Sequence, residues 1–202
     1  MRTKGDKRYI LGVDLGQSND YTVLSILESS FGVDDKLVYD LVYLRRFALK
    51  KSYLSIIDEV IGVIEKYNIM GCYSMAIDYT GVGHPVYDCF VSKGLNPLGI
   101  TITAGNSVNR QTQSTVTVPK KDIVTYLQIV LQTRRIRISS GLKLLEEMKQ
   151  EFLSFQFKVG ANARASYSAQ SGFHDDIIMS IGLAVWLGEF HTKRKLRAIG
   201  GI

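Results

Sequence analysis

The chain has 202 residues, 46% of them hydrophobic and 22% charged, with a formal net charge of +6 at pH 7. That length suits a single domain over residues 1–202, and that apolar content can build a sizeable core, which argues against a disordered or fibrous chain. The apolar run from Ile177 to Leu187 is too short to cross a bilayer and nothing at the N-terminus resembles a signal peptide, so the expectation is a soluble, intracellular protein with no membrane partner.

Tyr9-Ile-Leu-Gly-Val-Asp14 reads as a buried strand ending in an acid. Gly16 to Asp20 is turn chemistry, and the β-branched run Tyr21 to Leu27 completes a hairpin, with a third strand over Lys36 to Ala48. Leu54, Ile57, Val60, Ile61 and Ile64 recur at helical spacing after Ser52, a suitable cap, and predict a helix over 52–67. Ser74-Met-Ala-Ile-Asp78 is a second buried strand that ends in an acid. Thr80-Gly-Val-Gly-His84 turns the chain into a helix reaching about Ser92, and Pro97 to Ile102 forms the next strand. Residues 104–118, rich in Asn, Gln, Ser and Thr, predict a polar loop before a helix from Lys120 to about Gln132. A short strand over Arg135 to Ile138, a helix near 141–151 and the alternation Phe155-x-Phe157-x-Val159, turning at Gly160-Ala-Asn162, lead to a last helix opened by Asp175 and Asp176. Residues 1–7 and 193–202 are expected to be disordered around a core of about 8–190. Cys72 and Cys89 have no metal or disulfide spacing and are expected to be reduced core or boundary thiols.

The charge is unevenly placed. Residues 1–118 carry 12 Lys and Arg against 12 Asp and Glu, whereas residues 119–202 carry 13 against 7. That excess favours a polyanionic partner, with Lys120, Lys121, Arg134, Arg135, Lys158 and Arg164 as candidate nucleic-acid contacts; solvated surface charge is the plainer reading of each cluster.

Asp14 and Asp78 both terminate predicted parallel strands, whose carboxyl ends border the functional crevice in open α/β sheets. If the last helix packs across the sheet with its start over those ends, Asp175 and Asp176 join them within a few ångströms. Like charges that close stay ionised only around a cation, and carboxylate oxygens suit the hard ions Mg²⁺ or Mn²⁺. Two such ions about 4 Å apart can clamp the attacking and leaving oxygens of a phosphoryl displacement. Taken singly, Asp14 reads as a turn acid, and either Asp175 or Asp176 as an ordinary helix-opening acid favoured by the dipole.

Gly12-Val-Asp-Leu-Gly16 with Asn19-Asp-Tyr-Thr22, Ile77-Asp-Tyr-Thr-Gly-Val-Gly83 and His174-Asp-Asp176 together resemble, over about 8 to 190, the nuclease domain of the large terminase subunit of tailed bacteriophages. The resemblance implies a ribonuclease H-like α/β fold, a mixed sheet flanked by helices with an extra β-hairpin near the active site. It also implies a metal-dependent endonuclease, with Asp14, Asp78, Asp175 and Asp176 binding two Mg²⁺ or Mn²⁺ ions, that cuts concatemeric double-stranded DNA during genome packaging in the host cytoplasm. Implied partners are DNA, the ATPase domain of the full-length subunit, the small terminase subunit and the portal. No Gly-x-x-x-x-Gly-Lys-[Ser/Thr] loop is present, so the chain is expected to be the nuclease portion, able to cut DNA but not to translocate it.

Asp20 matches a recurrent family position and reads as a turn residue or one supporting the metal ligands. Gly81 and Gly83 permit close approach to a phosphate or simply make a turn, and His84 and His174 read as structural or orienting residues. Competing functions are a Holliday-junction resolvase or other ribonuclease H-like nuclease, an actin-like ATPase, for which a single lobe is too short, and a basic nucleic-acid-binding module with structural acids.

Overall fold

A computed structural model describes residues 7–16, 20–32, 34–159, 165–169 and 174–199, with the backbone alone over 156–159, 165–169 and 191–199. Alternation along the first strand sets up its two packing layers. Strand β1 (Arg8–Asp14) turns Leu11 and Val13 toward one cluster of buried side chains and Ile10 toward another, as period-two geometry requires. Gly12 and Asp14 share the face of Ile10.

The other strands extend this pattern into an eight-stranded mixed sheet. In chain order they are β2 (Val23–Phe31), β3 (Leu37–Arg46), β4 (Tyr73–Asp78), β5 (Leu98–Thr103), β6 (Asn109–Arg110), β7 (Thr115–Pro119) and β8 (Ile136–Ile138). The spatial order is β6-β7-β5-β4-β1-β2-β3-β8. β1 is parallel to β4, β4 to β5 and β5 to β7, while β1, β2 and β3 form an antiparallel meander and β8 runs parallel to β3. The carboxyl ends of β1, β3, β4, β5 and β7 therefore lie along one rim.

Helices α1 (Tyr53–Lys66) and α2 (His84–Ser92) cover the face of Leu11, Val13, Met75 and Ile77. Ser52 caps α1 as expected, its Oγ accepting from Ser55 N at 3.2 Å, but Leu54 stays exposed and Ile56 takes a buried place instead. Helices α3 (Lys120–Gln132), α4 (Leu145–Ser154) and α5 (Asp176–Ile199) build the other layer. In α5, Ile177, Ile178, Ile181, Leu183, Val185, Trp186 and Leu187 are all buried, each such side chain contributing about 1.5–3 kcal/mol.

Gly12 is where this layer meets the sheet. A Cβ built there would lie 1.9 Å from the Ser180 carbonyl oxygen and 3.0 Å from Ala184 N, so backbone touches backbone. The Ser180 hydroxyl donates to the Gly12 carbonyl at 2.8 Å, and Ser25 adds a weaker bond at 3.5 Å.

Three expectations need correction. The polar stretch 104–118 contains β6 and most of β7, because Val116 and Val118 alternate into the core and Thr115 is buried beside them. The stretch 193–199, expected to be disordered, continues α5 as helix. Cys72 is exposed rather than in the core or at its boundary, whereas Cys89 is half-buried at the boundary as expected; both are free thiols. The hairpin of β9 (Phe155–Val159) and β10 (Ala165–Ala169) forms, but as a separate two-stranded sheet whose β10 lies against α3; its turn lies outside the described residues. Among the described residues no helix is long and apolar enough to cross a membrane.

Replacing Gly12 by Ala should push α5 off β1 and destabilise the protein by about 1–3 kcal/mol or more. Thermal denaturation measures this, and an unchanged melting temperature would mean the helix does not rest on that strand.

Candidate functional site

Two pairings across the sheet fix the site before any side chain is considered. Asp14 and Asp78 are register partners on parallel strands, whose backbones lie about 4.8 Å apart with partner side chains on the same face. Asp14 is also opposite Val23, which is opposite Arg46, so Asp78, Asp14, Val23 and Arg46 form one row across β4, β1, β2 and β3. Gly12 lies two residues below Asp14 on the same face, and Ser180 lies one helical turn after Asp176. The Gly12–Ser180 contact therefore carries Asp176 over the carboxyl end of β1.

The proximity of the acids is felt most clearly at Asp14. Desolvation and the charges of Asp78, Asp176 and Asp175 raise the Asp14 carboxyl well above the usual range, with Lys120 opposing. Burial raises Asp78, partly offset by the Thr80 amide, which donates to Asp78 Oδ1 at 2.8 Å. Asp176 is 7% exposed. Burial lifts its carboxyl to about 6, against the opposing charges of His174 and Arg46. Its Oδ2 is buried with no hydrogen-bond partner among the described residues, an arrangement that costs free energy unless a donor or cation completes it.

Asp175 precedes α5 and Asp176 is its first residue, and the two carboxylates find different surroundings. Asp175 caps the helix through its carbonyl, which accepts from Met179 N at 2.9 Å, and its carboxylate turns to Lys120 Nζ at 2.7 Å. Lys120 begins α3 directly after β7 and so reaches the same rim. Expected from its sequence to contact DNA, it stands among the acids. Among the described residues no three His, Cys, Asp or Glu side chains are already drawn into a metal cage. Asp175 is held by Lys120 and Asp78 by Thr80, so two of the four carboxylates are engaged by the protein's own donors. The donor set, all carboxylate oxygen with one buried oxygen lacking a hydrogen bond among the described residues, nevertheless fits a hard divalent cation.

The other candidates divide. Asp20 is exposed at the tip of the first hairpin, close enough for its charge to raise Asp176. His174 is exposed, 3.7 Å from Asp176 Oδ2 through Nδ1 and edge-on to Tyr21 at 5.3 Å. His84 opens α2 against Tyr79, after a turn in which Gly81 and Gly83 take φ of +83° and +78°. Both glycines thus meet a conformational demand of the turn. Lys121 Nζ donates to Asn106, and Arg134 is exposed at the end of α3. Arg135 is corrected: it is 8% exposed and bonded to Leu37 O at 2.8 Å and Glu189 at 2.6 Å, so it is a buried tie between α5 and the sheet. The side chain of Lys158 and all of Arg164 lie outside the described residues.

Two further residues at the site escape sequence reasoning. Glu151 of α4, 5% exposed, accepts from Ile177 N at 2.9 Å and pairs with Arg46. Burial raises its carboxyl to about 7. No local signal marks either residue, since they are 105 positions apart.

A carboxyl raised in the folded state binds a proton there that the unfolded chain has already released, so stability is greatest below the unfolded value and falls as pH rises. In metal-free protein, stability should fall between about pH 4 and about pH 7, the window spanned by Asp176 and Glu151. Asp176→Asn should flatten the fall. Urea midpoints across that range check it, and parallel profiles for the two proteins would refute the assignment.

No family model matches the chain. It is 21% identical over 179 residues to the terminase large subunit of Thermus virus P23-45, covering 89% of this chain and 31% of that protein. The chain thus spans about a third of the length of the curated relative it matches. Among solved structures, the large terminase nuclease of thermophilic phage G20c with bound magnesium superposes with a TM-score of 0.66 at 19% identity, covering 89% of this chain and 81% of that one. The large terminase nuclease domain of bacteriophage SPP1 with bound Mn superposes with a TM-score of 0.54 at 12% identity, covering 88% and 84%. The chain has the ribonuclease H-like fold of the large terminase nuclease domains, the fold its three motifs resembled.

Proposed function

We propose that the chain is a metal-dependent endonuclease that cuts concatemeric double-stranded viral DNA during genome packaging. The observation that carries the reading is the convergence on one rim of Asp14 and Asp78, in register on neighbouring strands, with a buried oxygen of Asp176 that has no hydrogen-bond partner among the described residues. The likeness to nuclease domains that bind magnesium and Mn supports it.

In this reading Asp14, Asp78 and Asp176 are the principal ligands of divalent cations, Mg²⁺ or Mn²⁺, and Asp175 assists. Four carboxylates provide enough oxygens for two ions. Such ions supply Lewis acidity toward a phosphodiester and lower the pKa of an attacking water. The chain's own residues set the geometry. The Thr80 amide fixes the Asp78 carboxylate, the first turn of α5 orients Asp176, and Lys120, held at the rim by Asp175, offers an ammonium to a DNA phosphate. Lys121 and Arg134 add charge for the backbone. Contacts of this kind read no base edges, so cutting by the chain alone should be weakly specific. The hairpin of β9 and β10 guides or gates the duplex through Lys158 and Arg164. Within a larger assembly the chain would act with an ATPase domain, a small terminase subunit and a portal in the host cytoplasm.

Plasmid digestion tests the reading. Mg²⁺ or Mn²⁺ should support cleavage, Ca²⁺ should support it poorly, chelator should stop it, and Asp78→Ala should lower the rate by about a hundredfold or more. No cleavage with any ion would leave a basic binding module, and faster cutting of a four-way junction or an RNA–DNA hybrid than of linear duplex would move the chain to another ribonuclease H-like class. Changing Lys158 and Arg164 to Ala should reduce the slope of log affinity against log salt by about 0.9 for each phosphate that is no longer neutralised. An unaltered slope would remove the hairpin from DNA binding.

A further inference from the structure

Helix α5 opens in an unusual way. An aspartate at the cap position ordinarily turns its own carboxylate back onto the amides of the first turn. Here the carboxylate of Asp175 is bonded to Lys120, and Asp176 faces the strand ends. The amide of Ile177 is met by Glu151, which reaches in from α4 and accepts at 2.9 Å through Oε2. Its other oxygen, Oε1, pairs with Arg46 Nη2. Arg46 ends β3, in the row of Asp78, Asp14 and Val23, and its guanidinium lies 4.8 Å over the ring of Tyr21. Side chains from α4, β3 and the first hairpin therefore meet at the first turn of α5.

We propose that Glu151, braced by Arg46, is a positioning residue that fixes the first turn of α5 and so aims the Asp176 carboxylate at the cation site. This rests on the metal-dependent reading above. Both Glu151 oxygens are engaged, one by the Ile177 amide and one by Arg46, so it supports the site without being a ligand. A distant residue performs the cap that Asp175 would otherwise perform, so neither aspartate turns its carboxylate back onto the helix: Asp175 pairs with Lys120 and Asp176 stays on the side of the strand ends.

The chemistry of the clamp supplies its own probe. A carboxylate accepts on both oxygens, whereas a carboxamide of the same shape accepts on one and donates from the other side. Glu151→Gln must therefore leave either the Ile177 amide or Arg46 facing a donor, with no change in volume. Amide hydrogen exchange of metal-free protein reads the clamp itself, and calorimetric titration with Mn²⁺ reads its consequence. In Glu151→Gln the amide of Ile177 should exchange about tenfold faster or more, while central β1 amides keep their protection. Mn²⁺ affinity should fall by about tenfold or more, as for other groups that orient metal ligands. On an Asp176→Asn background the same change should have little further effect on Mn²⁺ affinity, because the group being aimed is gone.

Unchanged exchange at Ile177 overturns the clamp, whether or not the protein binds metal. Loosened exchange with wild-type Mn²⁺ affinity overturns the positioning role and leaves a structural cap. Equal reductions of affinity on the wild-type and Asp176→Asn backgrounds overturn the route through Asp176. Wild-type protein that binds no Mn²⁺ overturns the metal-dependent reading, and the positioning role with it, while exchange still judges the clamp.

Discussion

The absence of a side chain at Gly12 is the constraint on which the site depends. Helices usually rest on a sheet through a layer of interdigitated side chains, which leaves room for rotation and sliding. Here the α5 backbone lies on the β1 backbone, locked by the Ser180 hydroxyl to the Gly12 carbonyl. Close-packed interiors transmit such a restraint rigidly. Two residues along the strand and one turn back along the helix, Asp14 and Asp176 have little freedom to avoid each other.

Their approach is electrostatically unfavourable, and the surroundings show how it is tolerated. Burial raises the carboxyls of Asp14, Asp78 and Asp176, and at Asp14 the charges of the other acids add to it. Lys120 compensates on one flank and Arg46 on the other. The remainder is borne by apolar burial along α5, where Ile177, Ile178, Ile181 and Trp186 follow immediately after the acids. The helix that carries Asp176 thus also stabilises the rim where the acids meet. Such perturbed carboxyls cluster at functional sites, and a cation of the kind proposed would relieve their repulsion.

Much of this is legible before any coordinates. An apolar run that ends in an acid marks a strand whose end faces a site, and Asp14 and Asp78 fit that pattern. Periodicity places α1 nearly to the residue. β7 is hidden because Thr115-Val-Thr-Val-Pro119 sits in a polar stretch, although the alternation of Val116 and Val118 is there to be read. The basic doublet Arg134-Arg135 looks solvated, and only the pairing of Arg135 with Glu189 from the far end of the chain makes it internal. Glu151 and Arg46 are invisible for the same reason. A charged residue on an amphipathic helix reads as exposed until a partner 105 positions away explains its burial.

The direction of the α5 dipole gives the pair a further consequence. The N-terminus of a long helix carries a positive partial charge that favours ionised acids and disfavours a cation. Asp176 needs the first effect and a cation site suffers from the second. Glu151 places a carboxylate against the Ile177 amide, where that partial charge is concentrated, and Arg46 favours its ionised form through the other oxygen. The helix end is thereby neutralised locally, and the field at the strand ends is governed by Asp14, Asp78 and Asp176. A cap supplied by Asp175 would have quenched the same dipole but withdrawn a carboxylate from the site. Long-range capping by Glu151 leaves the whole negative set facing the rim.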